Sequence, residues 1–439
     1  MKSKKIKNNQ DSPSAHKDRK LVVFRFIAIM TFLVGLNYII WRYFFSLSQT
    51  ALWFSIPLIL AETYSFLDSA LFSFMMWKPT NRTSLEPIDA TVDVFITTYN
   101  EPTELVRLTA EAAMNINWTE LKVYILDDGA RPEMSRMAAE IGCDYIVRGD
   151  EWKGKQRHAK AGNVNNALLQ TSGEFILILD ADQIPSPQIV HECIGYFRDP
   201  KLAFVQTPQS FYNLLPGDPF GSDAPLFYGP IQMGKDGWNA AFFCGSNAIL
   251  RREALMQLGL ADYVKNAEDQ VYRGLEKAKS ELANIQNVNP VQQAILKSLQ
   301  QKVVLASRKL KEGQSIEKTG EMVREAIREA EYTITEQDIE SIAYSLNELA
   351  SSGDEQAKMV SDYLLEEKSK LGREMKADSD SIGISQQTFK DLNLIRSDEA
   401  QAILPLVTIS ITEDMATAMR LHAAGWKSAF HPEILAYGL

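Results

Sequence analysis

Cysteine is scarce in this chain of 439 residues: only Cys143, Cys193 and Cys244 occur, and none lies in a CxxC pair. That excludes a disulfide framework and a cysteine-based zinc site, and it fits a reducing, cytosolic environment for most of the chain. Positive charge is not in excess either. Forty-six Lys and Arg face 56 Asp and Glu, a net charge of -10. No basic face is evident, so nucleic-acid binding is excluded as a main role. Histidine is rare, and His191, His422 and His431 have no ligand-like spacing, so they read as structural. Residues 265–400 hold no Trp and a single Phe, Phe389. A stretch so poor in large aromatics and so rich in charge is unlike the apolar-strand regions around it.

Long apolar runs are present, but only near the N-terminus. Residues 1–20 are polar and basic (Lys2, Lys4, Lys5, Lys7, Lys17, Arg19, Lys20) and read as a disordered cytoplasmic tail. Leu21 to Phe45 and Ala51 to Trp77 follow within residues 21–78, each longer than the roughly 20 residues that cross a bilayer. The short link between them makes a transmembrane hairpin. Basic residues on both flanks, with Lys78 and Arg82 after the second run, place both ends in the cytoplasm. Glu62 and Asp68 lie inside the second run, where a carboxylate faces protein or water.

From residue 90 to about 264 short apolar runs alternate with helical patterns. Strands are expected at Val92–Thr98, Leu121–Leu126, Tyr145–Val147, Phe175–Leu179 and Leu202–Gln206. Helices are expected at Thr103–Ile116 (Thr103 as N-cap), Pro132–Ile141 and Lys160–Gln170, with another opened by Ser186-Pro187. Such alternation predicts an α/β fold with a mostly parallel sheet covered on both faces. Residues 265–405 carry helical spacing instead, for example Ile339, Ile342, Leu346 and Leu349, with Thr335 and Asp338 resembling a capping box. They read as a charged all-helical insertion, because strand-forming, motif-bearing sequence returns over 406–439.

The run Phe175–Leu179 ends in Asp180-Ala181-Asp182. A buried strand ending in two carboxylates presents them at its C-terminal edge, where open α/β sheets bind ligands. Such a pair can share a hard cation whose other positions are filled by water and phosphates. Thr98-Tyr99-Asn100-Glu101 ends another strand, Asp127-Asp128-Gly129 a third. His158-Ala159-Lys160-Ala161-Gly162-Asn163 opens a helix, and Thr412-Glu413-Asp414 opens a late one. Acidic groups at strand and helix ends, with a lysine at a helix N-terminus, can hold a metal, a diphosphate and a catalytic base.

Together with Gln206-Thr207-Pro208 and Phe242-Phe243-Cys244-Gly245-Ser246, these motifs resemble the processive family-2 glycosyltransferases, in particular bacterial cellulose synthase catalytic subunits. The resemblance covers about 90–262 and 408–439. It implies a GT-A-type domain on the cytoplasmic face of a bacterial inner membrane. It assigns Tyr99, Glu101 and Asp127 to the nucleoside, and His158 and Lys160 to the diphosphate. Asp180 and Asp182 go to the nucleotide and Mg²⁺ (or Mn²⁺), and Gln206, Cys244 and Gly245 to the substrate and acceptor side. Asp414 is the implied general base, with Glu413 beside it. The implied reaction is inverting transfer of glucose from UDP-glucose to a growing β-glucan, most simply β-1,4-linked. β-1,3-glucan, chitin and hyaluronan synthesis are alternatives. The family's QxxRW motif is expected to follow residue 439, so a fragment, or an inactive nucleotide-sugar-binding subunit, is a further reading. The helical insertion is a candidate for partner binding or self-association.

Overall fold

The computed structural model describes all residues except 1–12, 216, 220, 286–288, 352–354, 375–383, 394–398 and 409–411. Most of the basic tail therefore lies outside the described residues. The tail is not unstructured throughout, since the first helix begins within it, at Pro13.

Helices α1 (Pro13–Phe45) and α2 (Leu52–Met75) form the hairpin. Both are long and apolar enough to cross a membrane, and few of their residues are buried. Glu62 on α2 receives the guanidinium of Arg42 on α1 at 2.6 Å, so this acidic residue faces a partner and not open lipid. A buried or lipid-facing carboxylate without such a partner is costly.

The chain divides into two compact units. The first comprises Met1–Arg148, His158–Leu258 and Pro405–Leu439. After the hairpin it runs β1 (Val92–Thr98), α3 (Thr103–Met114), β2 (Leu121–Asp127), α4 (Pro132–Ile141), β3 (Asp144–Ile146), α5 (Ala159–Leu168) and β4 (Phe175–Asp180). Next come β5 (Ile184–Pro185), α6 (Ile189–Ile194), β6 (Leu202–Gln206), β7 (Ser210–Phe211), α7 (Gln232–Asp236), β8 (Ala248–Arg251) and the start of α8 (Arg252–Ala283). Seven strands form one sheet in the order β3-β2-β1-β4-β8-β6-β9, β9 being Lys427–Phe430 after the later helix α13 (Glu413–Ala423). All pairings in it are parallel except the two made by β8. A small second sheet joins β5, β10 (Ala436–Gly438) and β7. Alternate residues of β4 enter opposite cores, Phe175, Leu177 and Leu179 on one face, Ile176 and Ile178 on the other. That double burial explains why the strand is apolar at every position.

The second unit comprises Gly149–Arg157 and Gly259–Leu404. It holds the rest of α8, then α9 (Pro290–Lys311), α10 (Ile316–Ala350), α11 (Glu355–Glu374) and α12 (Gln386–Leu392). Helices α8, α9, α10 and α12 share their own core, with Val271, Leu275, Leu299, Val303, Val323 and Ile327 buried. The structural boundary at Gly259 precedes the compositional one at 265, because α8 starts in the sheet domain and carries on.

Several local expectations are corrected. Thr103 is the first helical residue, and Pro102 takes the cap position. Ser186 and Pro187 sit in a turn before α6, whose cap is Gln188. Thr335 and Asp338 lie inside α10, so they cap nothing.

Candidate active site

Strand register does most of the assembly. In the parallel ladder Thr98 of β1 stands opposite Asp127 of β2, and Thr97 stands opposite Asp180 of β4. Three motifs separated by up to 80 residues therefore share one edge, the C-terminal edge where parallel sheets bind ligands.

Asp127 is fully buried and its carboxylate is saturated. It accepts from the amides of Gly129 and Arg131 at 2.9 and 2.8 Å and from Tyr145 Oη at 2.8 Å. The Arg131 guanidinium adds a bond at 3.1 Å and reaches Thr98 Oγ1 at 2.8 Å and the Glu101 carbonyl at 2.5 Å. Asp127 thus organises the floor beneath the TYNE turn, where the sequence suggested direct nucleoside contact. Glu101 accepts from Thr98 Oγ1 and the Tyr99 amide at 2.7 and 2.8 Å. Burial acts to raise its pKa, but the Tyr99 amide and Thr98 hydroxyl outweigh this and hold it below the usual range. Tyr99 itself is 64% exposed at the rim, free to lie against a flat ligand.

Asp180 and Lys160 form an ion pair. Lys160 comes from the first turn of α5, whose cap residue His158 holds φ of 53°. The Asp180 amide donates to Ser246 Oγ at 2.9 Å, which ties β4 to the FFCGS segment. Asp182 accepts from the Leu439 amide at 3.2 Å. Its pKa is raised, first by burial and then by the negative charges of Asp180 and Glu101. Two hard oxygen donors that repel one another at a ligand-binding edge fit a divalent cation, since a cation relieves the repulsion.

Asp414 lies in the first turn of α13. Its pKa is pushed up to about 6: burial raises it most, Lys160 opposes, and Glu413 and Asp180 raise it further. Asp414, Lys160 and Asp180 therefore act on one another across one site. Gly245 holds φ of +82°, and a side chain there would run into the Asp414 carboxylate. Only glycine suits both the backbone and the space. Cys244 is a protonated thiol, pushed up to about 12 by burial and by Asp414, and bonded to Gln232 Nε2 at 3.3 Å. A thiol protonated to so high a pH is a poor nucleophile.

Gln206 is a correction to the substrate-side set. It is fully buried, with Nε2 on the Ser246 carbonyl and Oε1 on the Cys244 amide, both at 2.8 Å. Its amide braces the acceptor segment and leaves nothing for a ligand. Trp238 stacks on Phe74 of α2 at 4.5 Å under Lys78. Arg131, Tyr145 and Gln232 went unnoticed in the sequence, as single residues outside the motifs.

A family model described as glycosyl transferase family 2 matches residues 93–259. "Cellulose synthase 2" of Novacetimonas hansenii is 41% identical over 254 residues, covering 53% of this chain and 16% of that protein. The "Cellulose synthase catalytic subunit [UDP-forming]" of Komagataeibacter sucrofermentans is 41% identical over 262 residues, 55% of this chain and 34% of that one. The chain thus spans at most about a third of the length of these relatives. Among solved structures, glucosyl-3-phosphoglycerate synthase from Mycobacterium tuberculosis in complex with Mn²⁺ and UDP is 18% identical at a TM-score of 0.29, covering 38% of this chain and 58% of that one. The residues matched by the family model include the TYNE, DDG, HAKAGN, DAD, QTP and FFCGS motifs, while Asp414 lies beyond them.

Proposed function

We propose that this chain is a membrane-bound, inverting glycosyltransferase that moves glucose from UDP-glucose to a growing β-glucan, β-1,4-linked as in cellulose. The observation that carries the reading is Asp414, a carboxyl with a pKa of about 6 set over Gly245 and electrostatically joined to Lys160 and Asp180. A general base works best when its pKa lies near the operating pH.

Asp414 takes the proton of an acceptor hydroxyl as that oxygen attacks the anomeric carbon and the bond to the UDP oxygen breaks. Single displacement inverts the anomeric centre. Lys160 exchanges its Asp180 partner for the diphosphate and neutralises charge on the leaving group. Asp180 and Asp182 would hold a divalent cation, Mg²⁺ or Mn²⁺, which supplies further charge neutralisation. Tyr99 and Glu101 would position the nucleoside, and Cys244 and Gly245 would line the acceptor path. The relatives named as cellulose synthases support glucose as the sugar and β-1,4 as the linkage. The apolar hairpin supports a bilayer as surroundings, with the catalytic residues on the cytoplasmic side.

Radiolabelled UDP-glucose turnover in membranes carrying the chain tests the reading, beside Asp414→Asn. Polymer from the wild type and a loss of about 10²–10⁴-fold in the variant, with UDP binding kept, is the expected result. Equal turnover in the variant moves the base elsewhere. UDP binding without product from either chain overturns the catalytic reading.

A further inference from the structure

His431 is completely buried, and its two ring nitrogens have different surroundings. Nδ1 lies 2.9 Å from Tyr196 Oη, which itself lies 2.9 Å from the carbonyl oxygen of Thr83. A carbonyl only accepts, so the single phenol proton goes to Thr83 and Nδ1–H must donate to the phenol oxygen. In a neutral ring Nε2 then carries a lone pair. Nε2 has no hydrogen-bond partner among the described residues. What it faces is acidic: Glu433 Oε2 stands 3.7 Å away, and ligand atoms of Glu192, His431 and Glu433 all lie within 4.8 Å of one another. A buried lone pair set against a carboxylate, in a cluster that holds a second one, is repulsive unless a positive centre sits among them.

We propose that Glu192, His431 and Glu433 bind a divalent transition-metal ion of the Zn²⁺ kind, separate from the Asp180–Asp182 pair. One imidazole nitrogen and two carboxylate oxygens are a borderline donor set that suits Zn²⁺ better than Mg²⁺ or Ca²⁺. The supporting bonds are in place. Tyr196 fixes the tautomer and tilt of the ring, the role a histidine ligand's other nitrogen takes in most metal sites. The Ser84 hydroxyl holds the Glu192 carboxylate. The Glu433 side chain is 66% exposed, which leaves an entry path and room for water ligands.

The ion would be structural. Glu192 belongs to α6, and His431 and Glu433 to the turn between β9 and β10. Through Tyr196 and Ser84 the site also engages residues 83–84, the stretch that leads from the hairpin to β1. One ion would clip three segments that meet nowhere in sequence. β10, just past the turn, pairs with β5, just past Asp182. The sequence could not show this, because Glu192 is remote in the chain and His431 alone has no ligand spacing.

The test uses the full chain in detergent, stripped by a chelator and kept free of nucleotide. Zn²⁺ alone is titrated in by calorimetry and by thermal unfolding. One ion per chain is expected, with a raised unfolding midpoint, and with the same binding in Asp182→Asn. Glu433→Gln and Glu192→Gln should each weaken binding about tenfold or more, and Tyr196→Phe by about 10–100-fold. Glu433 is exposed, so its variant folds even if His431→Gln does not. No Zn²⁺ binding would overturn the proposal and leave a proton on Nε2 as what the carboxylates hold. Binding unchanged by both glutamate variants, or abolished by Asp182→Asn, would overturn it as well.

Discussion

Asp414 is held protonated to unusually high pH by its burial, and in the proposed reaction it is the base. Its carboxyl ionises at about 6, so turnover should rise with pH through that value and level off above it, as a pH profile of kcat would show. The same shift has a stability sign. Between the unfolded value near 3.9 and about 6 the folded chain binds more protons than the unfolded one, so stability falls as pH rises through that window. Asp414→Asn should therefore lose turnover and yet unfold at a higher temperature at pH 7, measured by thermal denaturation. Arg131 is the counterpart in the floor. It is nearly buried against a fully buried Asp127, and Arg131→Ala takes away the only charge partner that carboxylate has among the described residues while its amide and Tyr145 bonds remain, at a cost of roughly 1–3 kcal/mol. Chemical denaturation reads the loss, and UDP affinity should fall with it as the TYNE turn loses its support.

At the scale of elements, the helical unit offers a clean expectation. Leu299 on α9 is buried in a core of aliphatic side chains that belongs to that unit alone. Leu299→Ala should cost roughly 2–5 kcal/mol, read by denaturant unfolding. In the sheet domain the strands that hold the site were legible where they are long and apolar, as β1, β2, β4 and β6 are. β8 was not. Its four residues follow closely on the FFCGS segment, and it runs antiparallel between two strands of a sheet that the alternation marks as mostly parallel. β5, β7 and β10 have two or three residues each, too few to leave a pattern. Caps misled for a related reason: Thr103 and Ser186 are good cap residues by type, but the neighbouring Pro102 and the Ser186-Pro187 turn set where each helix starts.

Over the whole molecule, the junction of the hairpin with the sheet domain is built on α7. The Thr80 amide donates to the Met233 carbonyl at 2.9 Å, and Arg82 pairs with the buried Asp236 at 2.7 Å. Asp236 also accepts from the Phe430 amide of β9 at 3.1 Å. A side chain on Gly237 would run into the Lys78 backbone. Gly237→Ala should therefore force the hairpin exit off α7 and cost roughly 1–3 kcal/mol, seen as a lower unfolding midpoint in detergent, while Gly229→Ala, which meets nothing, serves as the control.

The chain's own sequence determined the apolar hairpin, the α/β alternation and the motif residues, because each is written in local period or in contiguous residues. Only the tertiary structure decided which of those residues remain open to a ligand. Asp127 is spent on the Gly129 and Arg131 amides, the Arg131 guanidinium and Tyr145 of β3, and Gln206 on the backbone of the FFCGS segment, whereas Asp180, Asp182 and Asp414 are left as interacting charges. The same folding brings Glu192 to His431. Burial and pairing depend on groups far apart in the chain, and no local pattern carries that information.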